Sequence, residues 1–275
     1  MSDKAKISTI ELNRQLWAAA EKGAPGRIEE LLALGADPLA WEPTRSQTAL
    51  TIAIASGCAE CVKVLLRVSD TNAKAKSANG TTALMLAAGY GRTECFDLLL
   101  PESDVSAKDN DGWTALMWAI AGGSEESVRR LTPLSNPEET DRHGRTALMH
   151  ATRRQPECLR LLLPWSDPLA QSETGCTALM EAIDEAAGGA KRSVECVRIL
   201  ASASDLDAVD CHGSGADARA EKMIGEAGKQ IRGLLAAERE RRALQATVAS
   251  QEPRKESGDG TDLGAEKAKK APSRL

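Results

Sequence analysis

The chain has 275 residues, and its 35 Lys and Arg against 40 Asp and Glu give a formal net charge of −5 at pH 7. This acidic balance argues against generic nucleic-acid binding, which needs a dense basic footprint, and no run approaches the roughly 18 apolar residues of a spanning helix. Aromatic residues make up only 3% of the chain, which favours helices of small and aliphatic residues over a β-sandwich.

The first fifteen residues are too polar to supply the apolar region of a secretory signal. The seven cysteines are an odd number and do not follow the pattern of a small disulfide scaffold, so we expect reduced thiols and no disulfides. These features predict a cytoplasmic protein without membrane association.

The chain begins with a degenerate helical pair. Apolar residues from Leu16 to Ala20 precede Gly23, and a second apolar run around Ile28 and Leu31 ends before Gly35. We expect residues 1–45 to form an N-terminal cap with a polar outer face.

An internal repeat follows. The tripeptide Thr-Ala-Leu recurs in steps of 34, 32, 32 and 31 residues, beginning at Thr48, Thr82, Thr114, Thr146 and Thr177. Methionine follows the tripeptide in four of the five copies. A Glu-Cys-hydrophobic motif begins a second apolar run in four of the copies, and the third copy has Ser127 in place of the cysteine. Such self-similarity is the signature of a repeat architecture.

Each copy reads as two short helices. In the second copy the small residues from Ala83 to Ala88 form a first helix that Gly91 ends, and the apolar run from Cys95 to Leu100 forms a second helix that Pro101 ends. Polar turns with glycine separate the copies, at Gly80, Gly112, Gly144 and Gly175.

This pattern resembles the ankyrin-repeat family, whose unit has a glycine-containing fingertip, a Thr-Pro-Leu-His helix start and an aliphatic second helix. The resemblance implies an all-α solenoid of helix-turn-helix units. The Thr-Ala-Leu-Met motif is similar to the motifs of divergent ankyrin arrays in unicellular parasites. Some of those arrays accompany protein-kinase domains. We place five repeats within 46–209 (46–79, 80–111, 112–143, 144–174 and 175–209), a C-terminal capping repeat with a helical extension at 210–250, and a disordered tail at 251–275.

The sequence departs from the family pattern at buried positions. Alanine replaces the family's proline, and methionine or Thr51 replaces its histidine, so methionine packing is expected where a buried polar bond is typical. Ser127 and Thr132 put hydroxyls in the second-helix core, which predicts that the third repeat is the weakest. About six extra residues near Ala186 to Ser193 are expected to lengthen a projecting turn in the fifth repeat.

No catalytic, cofactor or metal motif is present. The sequence lacks a phosphate-binding loop, the zinc-protease motif, a nucleophile elbow and the kinase signatures. Cys58 and Cys61 have zinc or redox spacing, but Cys61 is in phase with the other repeat cysteines, which indicates core packing. The scattered His143, His150 and His212 indicate polar surface positions.

The resemblance implies that a protein partner binds the concave face of fingertips and first helices. We predict no catalytic or metal-binding residues and a partner-binding set consisting of Tyr90, Trp113, Arg142, Arg145, Arg153 and Arg154. Aromatic side chains beside arginines suit an acidic segment with an apolar anchor. The expected function is a non-enzymatic interaction scaffold, and the alternative is a regulatory or targeting subunit of an enzyme such as a protein kinase acting in trans.

Overall fold

The computed structural model describes residues 8–44, 46–69, 79–153, 155–187 and 191–251. The chain divides into a first unit up to Glu238 and a second unit from Arg239, whose described part is the C-terminal portion of the last helix. Within the described ranges the regular elements are helices, together with two isolated β-bridges. Beyond Gln251, the predicted tail lies outside the described residues.

The α-helices occur in consecutive pairs along the chain, one pair for each unit of the sequence pattern. The pairs are α1 (Thr9–Lys22) with α2 (Pro25–Ala33), α3 (Ala49–Ser56) with α4 (Ala59–Leu66), α5 (Ala83–Gly89) with α6 (Thr93–Leu99), α7 (Ala115–Gly122) with α8 (Glu125–Leu131), α9 (Ala147–Ala151) with α10 (Pro156–Leu162), α11 (Ala178–Ala186) with α12 (Lys191–Ala201), and α13 (Ala216–Lys222) with α14 (Glu226–Gln251). Short 3-10 helices follow α6 and α10, at Leu100–Glu102 and Leu163–Trp165.

The Thr-Ala-Leu motif begins the first helix of each repeat. Four of its threonines accept a hydrogen bond from the backbone N–H three residues later, whereas the Thr146 hydroxyl is buried without a partner. A threonine in this position satisfies an N–H group that the helix itself leaves free. The recurring motif therefore marks helix starts.

Helix α9 is shorter than the other first helices, and a glutamine and a proline follow its end where most of the others have a glycine signal. Gly57, Gly91 and Gly123 take a left-handed conformation nine residues after their respective threonines, but the fourth repeat has Gln155 there. Pro156 follows and disfavours a helical conformation at Gln155, whose φ is −118°. The first helix accordingly ends at Ala151.

The helices stack in two layers within the first unit. Each first helix packs against the first helices of its neighbours, from α1 through α13, and the second helices from α2 to α12 pack on one another in the same order. The core between the layers contains the repeat methionines and cysteines, which are all buried: Met85, Met117, Met149, Met180, Cys61, Cys95, Cys158 and Cys196.

Polar bonds survive at two positions where methionine or threonine replaces the family's histidine. The Met85 sulfur accepts a 3.3 Å bond from the Thr82 N–H, and the Thr51 hydroxyl donates to the Thr48 carbonyl at 2.9 Å. The expectation that packing alone substitutes at this position is therefore wrong for these two repeats.

The two hydroxyls in the core of the third repeat both have partners. Ser124 Oγ donates to Ser127 Oγ at 2.8 Å, and Thr132 Oγ1 donates to the Val128 carbonyl at 2.7 Å. A buried polar group costs much less free energy once it is hydrogen-bonded. The structure thus weakens the reason for expecting the third repeat to be the least stable, although that expectation stays a prediction.

The extra residues of the fifth repeat mostly lengthen its helices. Helix α11 continues to Ala186 and helix α12 begins at Lys191, so only residues 187–190 separate them, of which 188–190 lie outside the described residues. The extra residues therefore lengthen the turn less than expected, and the projection of the turn stays a prediction, since 188–190 lie outside the described residues.

Candidate functional site

The first helices and the fingertip turns form one face of the first unit, which we call the inner face. Consecutive fingertips are joined by single backbone hydrogen bonds of 2.7 to 3.1 Å, each from an N–H of one fingertip to a carbonyl of the preceding one. The donor–acceptor pairs are Asn110–Asn79, Arg142–Asp111, Glu173–His143 and Cys211–Thr174. These bonds hold the fingertips in a continuous row, so side chains at equivalent positions are aligned along the face.

A buried aspartate fixes three of the fingertips, at Asp109, Asp141 and Asp210. In each case Oδ1 accepts hydrogen bonds of 2.8 to 3.0 Å from the N–H groups two and four residues later. Oδ2 bonds to the side chain nine residues later on the next first helix: Trp118, His150 and Arg219, respectively. Each of these fingertips is therefore tied to the helix behind it.

The repeat pattern contained a signal for this arrangement that the sequence reasoning missed. An aspartate stands five residues before the threonine of the third and fourth repeats, and a side chain with a ring N–H stands four residues after that threonine. In the fifth repeat Ser172 takes the aspartate position, and its hydroxyl accepts a bond from the Cys176 N–H.

His150 is buried, so its interpretation as a surface residue is wrong. Its Nε2 lies 3.0 Å from Asp141 Oδ2, and the side chains of both residues are less than 5% exposed. Burial lowers the pKa of His150, although the Asp141 carboxylate partly opposes this shift. Burial would raise the pKa of Asp141, but the N–H groups of Arg145 and His143, together with His150, lower it overall. A neutral imidazole thus donates to a carboxylate.

The two predicted aromatic residues have different environments. Tyr90 is 50% exposed at the end of α5, whereas Trp113 is half-buried in the third fingertip. The Trp113 ring lies 4.5 Å from the His150 ring and 6.0 Å from the Trp118 ring, measured between centroids. Trp113 therefore covers the His150 pair, and Tyr90 is the more accessible of the two.

A cavity of about 210 Å³ opens between the second and third repeats, where helices α5 and α7 approach closely. Its walls are Leu86, Gly89, Tyr90, Trp118, Ala121 and Gly122. A Cβ added at Gly122 would lie 1.8 Å from the Gly89 carbonyl oxygen, so only glycine allows this approach. The walls carry no ionisable group other than the Tyr90 phenol, and the cavity is therefore suited to an apolar side chain.

The described arginines of the predicted set each pair with a carboxylate from a neighbouring repeat. Arg142 contacts Asp111 at 2.7 Å, Arg145 contacts Glu181 at 3.2 Å and Arg153 contacts Glu185 at 3.3 Å. Arg154 lies outside the described residues.

The three ion pairs differ in burial. The Glu181 side chain is only 14% exposed, and burial raises its pKa although Arg145 opposes the shift. Arg142 and Arg153 remain 61% and 53% exposed beside their partners. Solvent-exposed pairs of this kind contribute at most about 1 kcal/mol to stability. Arg142 and Arg153 can therefore exchange their present partners for carboxylates of another molecule.

A larger cavity, of about 590 Å³, lies between α11 and α13 at the C-terminal end of the inner face. Its principal charges bind one another, because the Arg219 guanidinium contacts both Asp184 and Asp210. This end of the face is consequently held by an internal ion network.

The repeat cysteines have the environment of core residues. Burial raises the pKa of Cys61 to about 12, with Cys58 adding to the shift, and burial raises that of Cys158 to about 11. The Cys58 sulfur accepts a hydrogen bond from the Cys61 N–H at the start of α4. Among the described residues, no three His, Cys, Asp or Glu side chains are grouped so that they could hold a metal ion.

None of the helices in the described part of the chain is both long enough and apolar enough to cross a membrane.

Comparison with known proteins identifies the repeats. A family model described as "Ankyrin repeats (3 copies)" matches in overlapping stretches at 16–109, 66–141, 102–171 and 132–210. A similar solved structure is the crystal structure of the ankyrin repeat domain of Bcl-3, a unique member of the IkappaB protein family, with a TM-score of 0.65 and 24% identity over 80% of this chain and 97% of that one. That likeness shows the fold alone. Among curated proteins, none matches this chain. The predicted all-α repeat fold is thus confirmed.

Proposed function

Because the chain belongs to the ankyrin-repeat family, whose repeats are generally protein–protein interaction modules, we propose that it is a non-enzymatic scaffold that binds a partner polypeptide on its inner face. The observation that carries this proposal is the apolar cavity between the second and third repeats. A cavity of about 150 Å³ accommodates a benzene ring, so 210 Å³ has room for a leucine or phenylalanine side chain. An apolar side chain of the partner fills this cavity and anchors the partner to the inner face.

The binding site includes the predicted residues in distinct roles. Tyr90 forms the accessible rim of the cavity, and Trp113 shapes the neighbouring fingertip through its contacts with His150. Arg142 and Arg153 offer exposed guanidinium groups to acidic residues that flank the anchor. Arg145 chiefly neutralises the buried Glu181, and Arg154 belongs to the proposed set by its repeat position alone.

The cysteines support a proposed location in the cytoplasm. The four repeat thiols fill core positions, and burial raises the pKa of Cys61, Cys95 and Cys158 and so favours their protonated form. A reducing compartment preserves such thiols.

The proposal is tested by selecting peptides from a random display library on the intact chain and measuring their affinities by calorimetry. The selected peptides should share an apolar residue with acidic neighbours. The substitution Ala121→Phe fills the cavity without removing a polar group, and it should weaken binding at least tenfold. The matched control is Ala33→Phe, at an exposed alanine on α2 away from the inner face. Unchanged affinity for Ala121→Phe would overturn the proposal.

A further inference from the structure

A second group of exposed apolar side chains lies away from the inner face, in the loops that follow the second helices of the third and fourth repeats. We call these residues the loop cluster, and they are Pro133, Leu134, Pro164, Trp165 and Leu169. Leu134, Trp165 and Leu169 are 54%, 56% and 51% exposed. Exposed apolar groups that adjoin one another mark interaction sites more often than scattered ones do.

The repeat register brings the loop cluster together. Leu134 and Trp165 occupy the same repeat position, each between a proline and a serine. Their helices α8 and α10 pack directly on each other, so the two positions lie beyond corresponding ends of neighbouring helices.

Hydrogen bonds hold the two loops in place. The Asp167 N–H donates to Glu138 Oε1 at 2.8 Å and joins the loop of the fourth repeat to that of the third. Asp167 Oδ1 accepts a bond of 2.8 Å from the Leu169 N–H, which fixes the turn that carries Leu169. The loop cluster is therefore an ordered surface.

The two segments that carry the loop cluster are themselves acidic. The stretches 133–140 and 164–170 contain Glu138, Glu139 and Asp167 and no lysine or arginine. Glu139 pairs with Lys108 of the preceding repeat, whereas Glu138 and Asp167 are exposed. The electrostatic preference of this surface is thus opposite to that of Arg142 and Arg153 on the inner face.

We propose that the loop cluster is a second docking surface, for a polypeptide segment in which an arginine adjoins an apolar side chain. A planar guanidinium stacks on an exposed indole such as that of Trp165. In that position it donates to the carboxylates of Asp167 and Glu138. The adjoining apolar side chain contacts Leu134 and Leu169. The two docking surfaces lie on different helix layers, so this proposal does not depend on the inner face.

The probes for the test are three fluorescein-labelled ten-residue peptides with a common leucine, flanked by arginine, lysine or glutamate. The inner face is itself proposed to bind acidic segments with an apolar anchor. Fluorescence anisotropy is therefore measured with the Ala121→Phe chain, whose inner-face cavity is filled, and gives the dissociation constants of the three peptides at low and high salt. We expect the arginine peptide to bind at least tenfold more tightly than the glutamate peptide, and its advantage to shrink at high salt. Equal binding of the arginine and glutamate peptides would overturn the proposal.

Variants locate the binding to the loop cluster. Trp165→Ala and Leu169→Ser should each weaken binding of the arginine peptide at least fivefold. Tyr90→Ala on the inner face should leave that affinity unchanged. Both changed side chains are exposed, so the thermal midpoint should stay the same and separate lost binding from unfolding. If Trp165→Ala binds the arginine peptide as well as the parent does, the site is elsewhere. A further outcome would also overturn the proposal: the chain shows no peptide preference but forms concentration-dependent dimers that Trp165→Ala abolishes. The surface would then bind a second copy of the chain.

Discussion

Asp141 and His150 form a buried hydrogen bond of 3.0 Å between Oδ2 and Nε2, and this bond ties the fourth fingertip to helix α9. The other oxygen of Asp141 accepts the N–H groups of His143 and Arg145, which precede the helix. The Trp113 ring of the preceding fingertip lies against the His150 ring. One carboxylate therefore couples the conformation of a fingertip, a first helix and the adjacent repeat.

The first prediction concerns the pH dependence of stability. The pKa of His150 is lowered in the folded protein, so between that value and about 6.5 the unfolded chain binds more protons than the folded chain. The contribution of His150 to stability should consequently fall as the pH falls below about 6.5, whereas the raised pKa values of Glu181 and Asp184 act in the opposite direction at lower pH. The lowered pKa of Asp141 acts in the same direction as that of His150 below about 4.

Urea unfolding midpoints across the window from about pH 5 to about pH 7.5 check this prediction. His150→Gln retains an N–H donor for Asp141 and removes the titrating group, so its midpoint should vary less with pH. His143→Gln, an exposed histidine in the same fingertip, should keep the parent's dependence. A parent protein that gains stability relative to His150→Gln on acidification through about pH 6 would contradict the expected sign.

The second prediction concerns the close approach of helices α5 and α7. Gly122→Ala places a methyl group where the Gly89 carbonyl oxygen lies, so the helices must separate and stability should fall by on the order of 1–3 kcal/mol. Gly26→Ala in helix α2 has nothing within 4 Å of the added Cβ, and it should be neutral or stabilising by up to about 1 kcal/mol. Chemical denaturation of the two variants makes the comparison, and similar losses for both would show that the approach is not tight.

The third prediction contrasts two arginines of the inner face. Arg145→Gln leaves the 14%-exposed Glu181 carboxylate without its cation, whereas Arg153→Gln leaves Glu185, which is 35% exposed. A buried unpaired charge costs more free energy than an accessible one, so Arg145→Gln should lower the unfolding midpoint more. Lower pH should reduce the difference, because protonation relieves the buried Glu181. Equal losses at pH 7 would indicate that Glu181 is hydrated.

The fourth prediction concerns the third repeat. Ser127→Val puts apolar atoms at a buried position, and the partly exposed Ser124 hydroxyl can turn to water, so a gain of about 1 kcal/mol is expected. Native-state hydrogen exchange should show slower opening of helices α7 and α8 in the variant. A destabilised variant would mean that the Ser124–Ser127 bond outweighs the added burial.

Much of the fold was predictable from the repeat alone. The Thr-Ala-Leu positions predict the starts of the first helices, because threonine caps the helix through a bond to a residue only three positions away. The glycine positions predict the helix ends for the same local reason. The shortening of α9 was equally local, since Gln155 and Pro156 carried its signal, but comparison with the other repeats was needed to notice it.

The candidate site was less predictable, because it depends on which residues of neighbouring repeats meet. The repeat position identified Tyr90 as accessible, yet it also suggested a free arginine patch that the structure shows paired with Asp111, Glu181 and Glu185. Those partners lie 31 to 36 residues away from the arginines in sequence. Spacing within one repeat does not reveal such contacts.

The sequence by itself determined the repeat architecture, since helix caps, turns and apolar periodicity are local properties that each unit carries in its own residues. Although the burial of His150 had a signal in the repeat pattern, only the tertiary structure decided the pairing of the arginines and the cavity beside Tyr90. These features arise where one repeat stacks on the next, and their energies depend on burial and on charges contributed by separate segments of the chain.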